Sequence, residues 1–208
     1  MQGDDATLVE GPDGDLLRAG FDRDDASLSL LVASLRDPDV RHRVLALRGL
    51  VRRGAMDTVG WQAVLNDPDI ELRRDALEQL AHASDVDPTV LEHVVELLDD
   101  DDALVVDAAA FALGEHLYAP GVALLINVAA NHDDARCRES SIASLGSIGD
   151  EAALSTIIAA LDDKAPVRRR AIVALANFEG PEVDAALARA SEDRDWQVRA
   201  AVTQLRDE

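Results

Sequence analysis

Cysteine, lysine and aromatic residues are scarce in this chain of 208 residues. Cys137 is the single cysteine, so the sequence lacks the pair that an intramolecular disulfide needs. Aromatic residues make up 3% of the chain, whereas apolar residues reach 48% and are mostly alanine, leucine and valine. This apolar content suffices for a continuous core and excludes a disordered chain. Alanine and leucine also favour closely packed helices over strands.

The sequence also lacks a long apolar run and a positive charge balance. It has no stretch of the roughly 20 apolar residues that a membrane-spanning helix needs. Its first residues lack the basic and apolar regions of a signal peptide, so we expect a cytoplasmic protein that binds no membrane. The formal net charge is −21, which repels the phosphates of nucleic acid. We therefore expect no nucleic-acid partner.

The origin of the acidity stays open at this point. It either forms an acidic partner-binding surface or reflects the general composition of the source organism's proteins. Aspartate exceeds glutamate 29 to 12, and Lys164 is the single lysine, as in proteins adapted to high salt. Net charge is therefore a weak guide to the partner.

Motifs that carry catalysis or metal binding are also missing. The sequence has no glycine-rich phosphate loop and no recognisable catalytic triad motif. Its five histidines form no convergent ligand set, and the aspartate run at 99–102 lacks the spaced carboxylates and the glycine of a calcium loop. We interpret Cys137 as a buried, inert thiol and His42 as a partly buried structural histidine. We predict no enzyme activity, no metal and no cofactor.

What the sequence does contain is an internal repeat of about thirty residues. An arginine recurs with steps of 30, 65, 30 and 31 residues, and the longest step hides one further repeat centred on Val105 and Val106. Such a period is the signature of stacked helical repeats. A small residue three positions after the arginine and a leucine seven positions after it are suited to close packing between helices. The arginines are Arg43, Arg73, Arg138, Arg168 and Arg199.

The repeat divides the chain into helix pairs. Residues 1–26 are predicted to be an acidic, partly flexible segment with about one helical turn at 15–19. Aspartates in each intra-repeat turn are expected to cap the following helix. We predict an all-α, right-handed α-α superhelix of about six helix pairs. First helices are predicted at 27–36, 58–66, 89–99, 121–131, 152–161 and 182–190, in repeats near 27–56, 57–86, 87–119, 120–150, 151–180 and 181–208.

The repeated phrase resembles the short HEAT repeats that are named after phycobilisome lyases. Residues 145–150, Leu-Gly-Ser-Ile-Gly-Asp, are similar to the helix-to-turn consensus of that family. The resemblance implies a hydrogen-bonded ladder between neighbouring repeats, in which a turn aspartate meets the repeated arginine. It further implies that Val106 leaves one rung missing, with solvent or a backbone amide reaching the turn residue there. The ladder residues would be Asp37, Arg43, Asp67, Arg73, Asp133, Arg138, Asp163, Arg168, Asp193 and Arg199.

The resemblance also implies that the second helices of the repeats line a concave, partner-binding face. Phe111 is a large aromatic between alanines on this face, which is typical of an interface anchor. We hypothesise that Phe111, with Arg74 and Glu139 on adjacent layers, centres a protein-binding groove. The candidate partner-binding residues are Arg41, Arg48, Arg74, Glu78, Asp107, Phe111, Glu115, Arg136, Glu139, Arg169 and Arg170.

Two functional readings follow from the resemblance. The first is a monomeric, non-enzymatic scaffold or adaptor that binds another protein through the concave face. The second is a bilin-lyase-like accessory or lyase role, which would require an apolar cleft of roughly 300 Å³ or more.

Trp61 and Trp196, near the two ends of the repeat array, are expected to fill gaps or to cover the ends.

Overall fold

A computed structural model describes residues 11–207, with the side chain of residue 207 excepted. Within that range the chain forms thirteen α-helices and no strand, which confirms the predicted all-α fold. Part of the predicted N-terminal segment, residues 1–10, lies outside the described residues. The chain divides into two compact units, unit 1 (Met1–Val90) and unit 2 (Leu91–Glu208).

Unit 1 contains an N-terminal helix followed by two helix pairs, and the next helix begins at its end. Its helices are α1 (Pro12–Ala19), α2 (Asp25–Ser34), α3 (Val40–Arg53), α4 (Thr58–Leu65) and α5 (Ile70–Ala81). Helix α6 (Pro88–Glu96) spans the boundary between the units.

Unit 2 continues the alternation of first and second helices. Short 3-10 turns extend several of them, for example Leu97–Asp99 after α6. We call α3, α5, α7, α9, α11 and α13 the second helices. The remaining helices are α7 (Ala103–Glu115), α8 (Val122–Asn131), α9 (Ala135–Ile148), α10 (Leu154–Ala159), α11 (Ala165–Ala174), α12 (Pro181–Ala190) and α13 (Trp196–Asp207).

Paired aspartates in the turns set the helix starts. In the turn before α3, the Asp39 carboxylate accepts from the Arg41 amide at 2.9 Å and so caps the helix. The Asp37 carboxylate in turn accepts from the Asp39 amide at 2.8 Å. Since the first amides of a helix have no intrahelical partner, these carboxylates replace the missing acceptors. The same two-step arrangement recurs at Asp67 and Asp69, at Asp100 and Asp102, and at Asp193 and Asp195.

The repeated small residue and leucine of the second helices form the core, as the repeat alignment predicts. Ala46, Ala76, Ala109 and Ala171 are fully buried, and so is Ser141 at the same repeat position. The aligned leucines are buried as well, namely Leu50, Leu80, Leu113, Leu145 and Leu175. Small side chains at one position and leucines at the other let consecutive helices pack without voids.

Helix α1 is longer and more firmly packed than the single turn expected from the sequence. Leu16 and Ala19 of α1 are buried against Leu31 and Leu50. The Arg53 guanidinium donates to the Ala19 carbonyl at 3.1 Å, which caps the end of the helix. A helix of eight residues is marginal alone, so this tertiary packing stabilises it.

Candidate functional site

Two bidentate ion pairs join consecutive second helices in unit 2. Arg138 of α9 donates through Nε and Nη2 to the Asp163 carboxylate at 2.6 and 2.7 Å. Arg168 of α11 makes the same two bonds to Asp193 at 2.9 and 2.8 Å. Each arginine therefore meets the turn aspartate of the following repeat. The planar guanidinium matches a carboxylate in this two-pronged geometry.

The third nitrogen of each ladder arginine ties the helix to its own turn. Arg168 Nη1 donates to the Asp163 carbonyl at 2.8 Å, and Arg199 Nη1 donates to the Asp193 carbonyl at 2.7 Å. In unit 1, Arg43 bonds the Asp37 carbonyl through Nη1 and the Asp67 carboxylate through Nη2 at 2.8 Å. Arg73 likewise donates to the Asp67 carbonyl at 2.8 Å.

These ion pairs change the acidity of the aspartates. The hydrogen bond from Arg138 holds the pKa of Asp163 below its ordinary value, although desolvation opposes it. The hydrogen bond from Arg168 does the same to the pKa of Asp193. Both carboxylates therefore stay ionised to a lower pH than an unpaired aspartate does.

The fourth repeat differs from the predicted ladder by one residue. His132, rather than Asp133, occupies the position of Asp37 and Asp67, and its Nδ1 accepts from the Asp134 amide at 3.0 Å. Asp133 contributes its carbonyl, which accepts from Arg138 Nη1 at 3.0 Å. The preceding repeat has buried Val106 where the others have arginine. Between the third and fourth repeats the rung therefore lacks the arginine and the aspartate together, and a backbone amide reaches the turn residue.

Hydroxyl groups and close backbone contact connect α7 to α9 instead. Ser144 Oγ donates to the Ala110 carbonyl at 2.7 Å, and Ser140 Oγ donates to the Asp107 carboxylate. A Cβ atom placed on Gly114 would lie 2.8 Å from Ser144 Cβ, so the two helices touch at a position where only glycine fits. The same contact recurs one repeat later, where a Cβ on Gly146 would lie 2.7 Å from Ala174 Cα. The packing role of these two glycines was not predicted from the sequence, although their spacing follows the repeat.

The candidate partner-binding residues of unit 1 are mostly engaged within the unit. Arg48 of α3 donates hydrogen bonds of 2.6 and 3.1 Å to the Asp75 carboxylate of α5. Asp75 is only 4% exposed. Arg74 lies 3.3 Å from Glu78 on the same helix. Arg41 is exposed near the start of α3. Arg48 is thus held in place by a buried carboxylate, which the sequence pattern did not reveal.

In unit 2 four of the candidate residues line a cleft on the second-helix surface. This α7–α9 cleft has a volume of about 230 Å³. Phe111 stands at its rim with 42% of its surface exposed, and Glu115 lies exposed one turn later on α7. The lining residues are Phe111, Gly114, Glu115, Glu139, Ser140, Ala143, Ser144, Ser147 and Arg170.

A second cleft, the α11 cleft, adjoins the first and shares Glu139 and Arg170 with it. Its volume is about 340 Å³. Val173 is 55% exposed there, beside Pro166 and Ala201. Arg170 Nη2 lies 3.5 Å from Glu139 Oε1, at the junction of the two clefts.

The remaining candidate residues of unit 2 have local partners. Arg169 donates to the Gln197 side chain at 2.7 Å. Arg136 pairs with Asp134 at 2.6 Å, and its hydrogen bond lowers the pKa of that aspartate to about 2. Asp107 accepts from Ser140. Of these three residues, only Arg169 lines one of the two clefts, the α11 cleft.

Two larger clefts lie elsewhere in unit 2, and neither has aromatic walls. One, of about 600 Å³, is lined mainly by alanine, serine, threonine and aspartate from α8 and α10 and the turn that follows α10. The other, of about 500 Å³, is lined by Lys164, Ala165, Arg168, Arg194 and Asp195. Both exceed the size that a lyase-like function requires, but small and charged side chains dominate both surfaces.

The environments of Cys137 and His42 indicate structural rather than catalytic roles for these side chains. Cys137 is fully buried with its thiol 3.1 Å from the Ala103 carbonyl, and burial raises its pKa to about 11, as expected for an inert thiol. His42 is half-buried between Asp37 and Asp13, each 3.1 Å away. Desolvation lowers the His42 pKa, but hydrogen bonding and the surrounding carboxylates outweigh it and raise the pKa overall.

Further observations concern metals, membranes and the tryptophans. Among residues 11–207 no group of three or more histidine, cysteine, aspartate and glutamate side chains is arranged to hold a metal ion. No helix in the described part of the chain has both the length and the apolar character to cross a membrane. Trp61 is buried, as expected of a gap-filling residue. Trp196 is 67% exposed, so the prediction that it covers the end of the array is wrong.

Paired helices, interlayer arginine–aspartate bonds and a repeated apolar core together define an α-solenoid. The profile described as HEAT repeats matches residues 28–114, 58–145 and 122–206, and the chain belongs to this family. No curated protein matches the sequence.

Solved structures with the same fold are distant in sequence. A designed armadillo repeat protein in complex with the peptide (KR)4 is 18% identical, with a TM-score of 0.64 over 86% of this chain and 98% of that one. YibA from Escherichia coli is 19% identical, with a TM-score of 0.64 over 97% and 75%. The CpcE–CpcF complex of phycocyanin lyase from Nostoc is 20% identical, with a TM-score of 0.63 over 84% and 74%. At these identities the likeness concerns the fold alone.

Proposed function

We propose that this protein is a non-enzymatic scaffold that binds another protein through the exposed surface of its second helices. The observation that carries the proposal is the pair of adjoining clefts on α7, α9 and α11, with Phe111 and Val173 exposed in them. Exposed large apolar side chains that line concave surfaces are typical of protein interfaces. A designed armadillo repeat protein of the same fold holds a peptide, which supports this use of the architecture.

The ladder arginines serve a structural role in this proposal. Arg138 and Arg168 donate their hydrogen bonds to the aspartate of the next repeat and to the turn of their own repeat. By contrast, Phe111 and Glu115 expose their side chains at the cleft. The partner is therefore expected to contact residues beside the ladder, with Arg41, Arg74 and Glu78 of unit 1 as further contact candidates.

The proposal is tested by identifying a partner and measuring its affinity for matched variants. Crosslinking in native cells identifies the partner, and both proteins are then purified. Phe111→Asp is expected to weaken binding by about 30-fold, as for an interface anchor worth about 2 kcal/mol. Leu124→Asp is the control, because Leu124 on α8 is also 42% exposed but lies on a first helix. Equal affinities of the two folded variants would contradict the proposal.

The bilin-lyase-like role remains a second candidate, supported only by the shared fold with the CpcE–CpcF complex. Titrating a linear tetrapyrrole into the purified chain tests it. A saturable absorbance shift that persists in Phe111→Asp would support this second role. Unchanged spectra at millimolar protein would remove it.

A further inference from the structure

We propose that the α7–α9 cleft receives the side chain of an arginine or lysine from the partner protein, presented on an extended segment. This inference rests on the proposed function and names the chemistry of the group that the site recognises. Four features of the cleft carry it: its size, its charge, its hydrogen-bonding groups and its aromatic rim.

The size of the cleft suits one side chain. Small-molecule sites usually measure about 300–1,000 Å³, whereas this cleft has about 230 Å³. The cleft is deep where α7 and α9 approach each other, because Gly114 lies against Ser144 there and has no side chain to fill the space. Ala143 and Ser147 are small as well, so the space above this contact stays open between the larger residues of the rim.

The charge of the cleft favours a cation. Glu115 and Glu139 face it, and Arg170 is the basic residue of its lining. Asp107 adds a third carboxylate immediately behind Ser140, to which it is hydrogen-bonded. Arg170 is 3.5 Å from Glu139, a separation that leaves most of the acceptor capacity of that carboxylate available.

The hydrogen-bonding groups of the cleft are mainly acceptors. The Ser144 hydroxyl donates its proton to the Ala110 or Ser140 carbonyl, so it presents no donor to an incoming group. The Ser140 hydroxyl donates to Asp107 in the same way. Together with the two glutamates, these oxygens match a guanidinium or an ammonium group, which has donors only.

The aromatic rim and the neighbouring cleft complete the fit. The 42% exposed Phe111 side chain forms an apolar part of the rim, along which the aliphatic stem of an arginine or lysine packs. The α11 cleft begins at Glu139 and Arg170 and exposes Val173, so the segment continues over an apolar surface. The segment that fits both clefts carries a basic residue with an apolar residue nearby.

A displayed library of random eight-residue peptides, selected on the full chain, tests this inference. The inference predicts that selected peptides are enriched in arginine or lysine next to an apolar residue. A fluorescent copy of the best peptide should bind about tenfold more weakly to the Glu115→Gln, Glu139→Gln double variant, and several-fold more weakly to Phe111→Ser. Glu182→Gln, on exposed α12, is the control and should leave the affinity unchanged. The measurements use low salt, since screening weakens exposed ion pairs.

The outcomes separate this inference from the proposed function. Peptides that lose binding in Phe111→Ser but show no basic enrichment, or that tolerate the double glutamine variant, would overturn the inference and leave the binding groove in place. Selected peptides that all bind Phe111→Ser as well as the unmodified chain would overturn both.

Discussion

In unit 2, different interactions hold α7 to α9 and α11 to α13. Arg168 and Asp193 join α11 to α13 through two charge-assisted hydrogen bonds. Between α7 and α9, Val106 and His132 replace the corresponding pair, and serine hydroxyls and the Gly114–Ser144 contact hold the helices together. The layer without the ion pair is also the layer with the Phe111 cleft. Within one repeat architecture, the ladder and the candidate binding site thus occupy different places.

The largest effect is expected from removing the α11–α13 rung. Arg168→Ala breaks two bonds to Asp193 and one to its own turn, at a side chain that is only 5% exposed. We expect a loss of about 3 kcal/mol in unfolding free energy, measured by urea denaturation. Arg206→Ala, an exposed arginine on α13, should change it by less than about 0.5 kcal/mol. Equal effects of the two substitutions would refute the structural role of Arg168.

A smaller loss is expected from filling a glycine contact. A Cβ on Gly146 meets the Ala174 backbone at 2.7 Å, which cannot yield without moving a helix. Overpacking costs about 1–3 kcal/mol and the better helix propensity of alanine offsets about 1 kcal/mol, so Gly146→Ala should destabilise by up to about 2 kcal/mol. In Gly60→Ala the new atom meets only side-chain atoms of Asp57 and Met56, so this control should be neutral or stabilising. Thermal unfolding of both variants checks the contrast.

Installing the missing rung sharpens the comparison further. Val106→Arg alone places a charge at a buried position and should destabilise the protein. Adding His132→Asp supplies the carboxylate that the other repeats have, so the two changes should couple favourably by about 1 kcal/mol in a double-mutant cycle. His132→Ala in place of His132→Asp is the control. A coupling energy of zero would show that the position of the turn residue does not define the rung.

The smallest effect is the acid dependence of the existing rung. The pKa of Asp193 is lowered in the folded chain, so its contribution is fully present above the unfolded pKa near 3.9 and is lost as pH falls through the folded value. The stability difference between the unmodified chain and Arg168→Ala should therefore be constant from about pH 7 to 5 and shrink below about pH 4. A difference that grows on acidification would have the wrong sign for this ion pair.

Much of the fold was predictable from the repeat, because an arginine marks the same position in five repeats. The repeat predicted the helix pairs, the buried Ala46 and Leu50 positions and the aspartate-capped turns. His132 stands six positions before Arg138, as Asp37 does before Arg43, so the sequence contained this signal; it was missed because only aspartate was expected in the turn. Helix α1 was predicted only as a single turn, because its full length depends on contacts with Leu31 and Leu50.

The candidate site was predictable only in part. Phe111 stood out because an aromatic residue on a helix face rich in alanine is rare in this chain. The burial of Asp75 beneath Arg48 was not visible, since a charged residue at an outward position usually faces solvent. The Gly114–Ser144 contact that gives the cleft its depth depends on the distance between two helices, which the period alone does not supply.

The separation of ladder and binding site is tested most directly by measuring partner affinity and unfolding free energy together in two variants, Phe111→Asp and Arg168→Ala. We expect Phe111→Asp to weaken binding by about 30-fold while its unfolding free energy stays within about 0.5 kcal/mol of the unmodified chain. Arg168→Ala should lower the unfolding free energy by about 3 kcal/mol while the folded protein keeps its affinity. Parallel losses of stability and affinity in both variants would contradict the separation of ladder and binding site.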